Sequence, residues 1–194
     1  MASLKQTPSQ TVGPYYAMRL FAPDQNRLVP VSAPGRIRVE GCVLDADGVP
    51  MEDALVEIWQ ANAHGRFRHP DDPRVDVPLT PGFVGFGRAP VDLETRRFWF
   101  ETTKPGRVLA PDGSSQAPHL SLVVQGRGML RPSFTRLYFA DETTANAADF
   151  VLVRVPEARR HTLLAHLVSS DGAPTYRFDI RFQGNDETVF FVFD

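Results

Sequence analysis

Tyr176-Arg177-Phe178-Asp179-Ile180-Arg181-Phe182-Gln183 sets an apolar side chain against a polar one at every second position. A two-residue period is that of a strand with one buried and one wet face. Outward from this stretch the chain keeps the same habit. Residues 36–44 carry Ile37, Val39, Cys42 and Leu44 around Gly41, where a bulge is expected, and Asp45-Ala46-Asp47-Gly48 follows as a turn. Residues 54–59, 97–101, 120–124, 135–139 and 188–193 read as further short strands. Residues 157–167 read as the one clear helix, with Pro156 at its start and Leu163, Leu164 and Leu167 on one face. A short helical turn is expected at 144–149. Short strands, Gly/Pro turns and one peripheral helix predict a mainly β chain, a β-sandwich.

Residues 1–35 read as an N-terminal arm and loop that pack on a partner chain. Pro8 and Pro14 hold the residues before them extended, and Tyr15 and Tyr16 favour packing on a surface. Residues 36–194 then form a single domain. Residues 62–90, rich in Gly, Pro and charge, are too long an irregular segment to be a simple connection and predict a functional or interface loop.

The composition narrows the function classes. A net charge of -2 and a pI near 6.2 give no electrostatic footprint for nucleic acid, and no basic cluster suits a membrane surface. Cys42 is the only cysteine, which excludes an intrachain disulfide and a thiol-rich metal site. The opening residues lack the apolar core of a signal peptide, and no apolar run is long enough to span a bilayer, which predicts a cytoplasmic protein. There is no phosphate loop, no dinucleotide fingerprint and no Gly-x-Ser-x-Gly.

The chemistry-bearing stretch is residues 104–121, where a Pro-Gly turn and a polar loop lead into an apolar strand. His119 and Ser121 share one face of that strand. A His-x-His pair there would seat a metal; serine holds the second place. Read alone, His119 is a satisfied structural histidine. His64 and His69 fall in a surface turn, and His161 and His166 stand five residues apart on the expected helix, sharing no face.

Several ordered stretches resemble the intradiol ring-cleaving dioxygenases: residues 7–15, Glu57-Ile58-Trp59-Gln60-Ala61, Thr103-Lys104-Pro105-Gly106, Ala117-Pro118-His119, 135–139, 176–184 and 187–191. The resemblance implies a β-sandwich and, in the assembled enzyme, Fe(III) held by two tyrosines and two histidines. It also implies that a catecholate such as 3,4-dihydroxybenzoate is opened by O2 between its hydroxyl-bearing carbons, in aromatic catabolism. Against that ligand pattern, the first tyrosine position is Phe67, in Gly65-Arg66-Phe67-Arg68-His69. The second falls at Val108, and the histidine pair becomes His119 and Ser121. These are vestigial positions, and a lone imidazole does not hold ferric iron.

The family's two-chain members implicate a beta chain as the iron-bearing partner, with this chain completing its pocket. The substrate-contacting positions implied here are Thr11, Gly13, Pro14, Tyr15 and Arg127. The turn Gln125-Gly126-Arg127-Gly128 departs from the family pattern at Gly126. Two rival readings stand beside this one: a non-catalytic prealbumin-like binding or scaffold sandwich, and a self-sufficient metalloenzyme with unexpected ligands.

Overall fold

A computed structural model describes residues 7–8, 10–11, 13, 16–110 and 112–192. In chain order the strands are β1 (Arg36–Gly41), β2 (Val43–Leu44), β3 (Leu55–Trp59), β4 (Phe86–Pro90), β5 (Phe98–Thr103), β6 (Val108–Leu109), β7 (Ser115–Gln116), β8 (His119–Gln125), β9 (Ser133–Phe139), β10 (Leu164–Ser169), β11 (Thr175–Arg177) and β12 (Ile180–Arg181). Among the described residues, helix is confined to α1 (Ala17–Leu20), α2 (Thr143–Ala148) and two 3-10 segments, Leu152–Arg154 and Glu157–Leu163. The fold is mainly β, and none of these helices is long and apolar enough to cross a membrane.

Eight strands make one hydrogen-bonded sheet in the order β4-β3-β8-β9-β10-β11-β1-β5. The sheet curls until its edge strands β4 and β5 touch, which removes most of the open edge. Residues 25–28 lie across the remaining seam. Arg88 N donates to Gln25 O, Val84 N to Leu28 O, and Leu28 N to Glu101 O. Leu28 is fully buried and its Cδ1 fills the space where a Cβ on Gly87 would stand. Glycine at position 87 is thus what lets Leu28 and Phe100 meet inside the curl. The enclosed core takes residues from every strand except β6 and β7, among them Val39, Ile58, Phe98, Leu122, Leu137 and Ile180.

The stretch 176–183 shows the expected faces, with Tyr176, Phe178 and Ile180 buried, but it is two strands. β11 pairs with β1, and the chain then steps across so that β12 pairs with β2. The same step splits residues 36–44 at Cys42, whose N–H donates to the Asp179 carboxylate instead of a ladder. Phe178 O lies where a Cβ on Gly41 would be, so glycine permits this close crossing. Cys42 is half-buried, and burial raises its thiol pKa, in keeping with packing over nucleophilic chemistry.

Two expectations are corrected. The helix expected at 157–167 is a 3-10 segment that ends at Leu163, after which β10 runs parallel to β9 and antiparallel to β11. Leu163 is buried but Leu167 is exposed, so the three leucines share no face. Joining the two halves of the sheet outweighs a local leucine pattern. Among the described residues of the strand expected at 188–193, pairing is limited to one bridge, Phe134 to Phe191; Phe193 lies outside them. The helical turn expected at 144–149 is α2.

Leu28→Ala opens a cavity at the seam and is expected to cost about 2–5 kcal/mol, whereas Leu130→Ala, at an exposed leucine, should stay within about 0.5 kcal/mol. Urea unfolding of the two variants checks this.

Candidate functional site

Asn62 ties the long loop to the end of β3. Its Oδ1 accepts from His64 N and Arg66 N, and its Nδ2 donates to Pro78 O. Its backbone carbonyl accepts from Gly65 N and from Gly106 N, the latter in the Lys104-Pro105-Gly106 turn. The two glycines make the contact possible, since a Cβ on Gly65 would meet Arg107 O and one on Gly106 would meet Ala63 O and Gly65 N. Gly65 also has a φ of +82°, which disfavours any side chain. Beyond it, the buried Asp72 accepts from Phe67 N at 2.7 Å and is gripped by the Arg74 guanidinium. Hydrogen bonds from Arg74, working against burial, hold the Asp72 carboxyl far below the usual carboxylate range.

This loop-to-turn contact brings Phe67 and Val108 to one cavity of about 720 Å³, walled by Trp59, His69, Arg74 and Gln116. The Phe67 ring lies flat on Trp59, centroids 5.8 Å apart, and Arg74 covers it at 5.6 Å. Val108 is buried, with no donor to offer. His69 is exposed at the rim, with His64 also exposed in the same turn.

His119 opens β8 and is buried, with Nδ1 2.8 Å from Ala117 O, the reading expected of a satisfied structural histidine. Burial, then the Arg136 cation, push its pKa down to about 4. Ser121 pairs across the sheet with Trp59 on one side and Arg136 on the other. Arg136 donates to Gln116 Oε1 and to the Tyr138 hydroxyl. Tyr138 donates in turn to Asp149, a fully buried carboxylate that also accepts from Ala117 N, Val151 N and Leu152 N. Tyr138 and Tyr176 fill the core, and burial raises both phenols.

The donor set does not fit a ferric ion. Phe67 and Val108 have nothing to give, Ser121 presents a neutral hydroxyl, and a guanidinium stands on the neighbouring strand. Among the described residues no group of three His, Cys, Asp or Glu side chains converges.

The second constellation lies at the other end of β8. Seven residues of strand separate the two ends by about 20 Å. There Gly128 N donates to Thr11 Oγ1 at 3.1 Å, across 117 positions of sequence. Arg127 pairs with Asp53 at 3.0 Å while remaining 68% exposed, and the Tyr16 hydroxyl donates to Asp53 O at 2.6 Å. Burial, then the Asp53 carboxylate, raise the Tyr16 phenol. Gly13 is exposed with open space around it. Pro14 and Tyr15 lie outside the described residues. The structure thus ties Thr11 to Gly128, the residue after Arg127, and keeps this end of β8 far from His119. Asp53, Tyr16 and Arg136 were not legible as partners: sheet register places Arg136 opposite Ser121, and long-range packing brings Tyr16 to Asp53.

A family model described as Dioxygenase matches residues 11–184. The chain is similar to the protocatechuate 3,4-dioxygenase alpha chain of Burkholderia cepacia, 45% identical over 98% of this chain and 99% of that one. It is also 37% identical to the protocatechuate 3,4-dioxygenase beta chain of the same organism, over 79% of this chain and 66% of that one. Among solved structures, the dioxygenase domain of a carbohydrate-binding fusion protein from Streptomyces sp. SirexAA-E superposes with a TM-score of 0.58 at 26% identity, covering 91% of this chain and 97% of that one.

Two outcomes are expected. His119 is neutral when folded, so protons bind the unfolded chain first as pH falls. Stability should drop by on the order of 3 kcal/mol between about pH 6.5 and about pH 4, less so in His119→Gln; thermal melts against pH measure this. Phe67→Tyr, Val108→Tyr and Ser121→His combined should leave the chain without iron and without a phenolate-to-iron absorption band. Both should emerge only once Arg136→Gln removes the competing cation.

Proposed function

The chain belongs to the intradiol ring-cleaving dioxygenase family, and from that premise we propose that it is the alpha subunit of a protocatechuate 3,4-dioxygenase. The assembled enzyme cleaves 3,4-dihydroxybenzoate with O2 to 3-carboxy-cis,cis-muconate, in the beta-ketoadipate route of aromatic catabolism. The observation that carries the subunit assignment is the loss of three of four ligand positions beside Arg136, in a chain whose relatives include separately named alpha and beta chains. In this reading the curled sheet is the family's β-sandwich, and residues 1–35 are the arm and loop that dock on the beta chain. Fe(III) is carried by that partner, where it supplies the chelation of substrate and the chemistry with O2.

This chain's contribution is the wall of the partner's pocket. Thr11 is tied to Gly128, next to Arg127, at one exposed end of β8, and Gly13 leaves its backbone open to close approach. With Pro14 and Tyr15 they form the substrate-contacting set. Among the described residues the Arg127 guanidinium has one ion pair, Asp53, and its remaining N–H groups suit a substrate carboxylate. The rival of a non-catalytic scaffold is disfavoured by 45% identity along nearly the whole chain. The protein is expected to work in the cytoplasm.

Co-expression with a beta chain should yield iron and protocatechuate cleavage only in the complex. Arg127→Ala should lower kcat/KM by roughly 10- to 100-fold with iron content unchanged. Turnover by this chain alone would overturn the assignment, as would full activity of the Arg127→Ala complex.

A further inference from the structure

On the outward face of β1 and β5, far in sequence from both constellations above, three guanidinium groups converge on one carboxylate. Glu40 accepts from Arg38 Nε at 2.9 Å on one oxygen and from Arg97 Nη1 at 2.8 Å on the other, with Arg177 Nη1 3.7 Å away. Arg177 is further committed to Asp179, its Nε 2.8 Å from that carboxylate. Glu101, the cross-strand neighbour of Arg38, is taken up by Arg27 and Arg36, which leaves Arg38 and Arg97 to share Glu40. Burial works against it, but the hydrogen bonds from Arg38 and Arg97 lower the Glu40 pKa, so the carboxylate stays ionised and keeps both arginines in place.

The arginines are held without being used up. Arg38 also lies over the Trp99 ring at 4.5 Å, which fixes the plane of its guanidinium. Neither Nη of Arg38, and neither Nε nor Nη2 of Arg97, has a hydrogen-bond acceptor among the described residues. Beside them is a cavity of about 350 Å³ lined by Arg38, Glu40, Thr95 and Arg97. Two pre-oriented guanidinium forks with unused donors match the spaced oxygens of a phosphate or carboxylate.

We propose that Arg38 and Arg97 form an oxyanion-binding site on this face, taking either a phosphate group or the carboxylate of a small acid. Glu40 is the organiser of the site, and its two oxygens set the positions of the donors around the ligand. Because the site is open to water, affinity falls in the millimolar range and weakens with salt.

The test uses the full-length chain at fixed ionic strength, titrated with inorganic phosphate in one arm and benzoate in the other. Arginine Nε–H resonances are followed by NMR and heats by calorimetry. Saturable shifts at Arg38 and Arg97, with affinity lowered at least tenfold by Arg97→Gln and unchanged by Arg131→Gln at an exposed turn, are expected. The tighter arm identifies the source of the oxyanion. Shifts of equal size at Arg131, or no saturation in either arm of the unmodified chain, would overturn the site; the NMR reading needs no variant to fold.

Discussion

Burial of one amide side chain, Asn62, is the constraint on which the middle of the molecule depends. It sits at the end of β3 with no solvent exposure and meets its hydrogen-bonding needs only by wrapping backbone around itself. A buried amide left unsatisfied costs roughly 1–3 kcal/mol per lost partner, so the loop has little freedom to take another path. Through the carbonyl of the same residue, the Pro-Gly turn is drawn onto that loop, and two glycines allow the backbones to touch. Phe67 and Val108, 41 positions apart, face one cavity because of that contact.

The same arrangement fills this pocket with packed side chains and one half-buried cation. An aromatic stack of Trp59 and Phe67, an aliphatic Val108, and a buried neutral His119 occupy the positions, and Arg136 contributes the positive charge. The pocket holds its shape through packing and through the Arg136–Tyr138–Asp149 chain of hydrogen bonds, without coordination. At the opposite end of β8, exposure is retained. Thr11, Gly13 and Arg127 are all exposed.

The closure of the sheet links these two ends. Leu28, in the stretch read as arm and loop, is buried where β4 and β5 approach, so that part of the stretch belongs to this chain's own core.

The sequence by itself determined the strand-rich class, the buried faces at Tyr176, Phe178 and Ile180, and the lack of metal-donor chemistry in the side chains of Phe67 and Val108. Each of these is a property of residue type or of a two-residue period, which local order carries. The tertiary structure alone decided that 164–169 is a strand, that 176–183 divides between two pairings, and that Arg136 faces Ser121. It also decided that Thr11 reaches Gly128. These depend on which strands become neighbours and in what register, and register is fixed by packing between segments far apart in the chain.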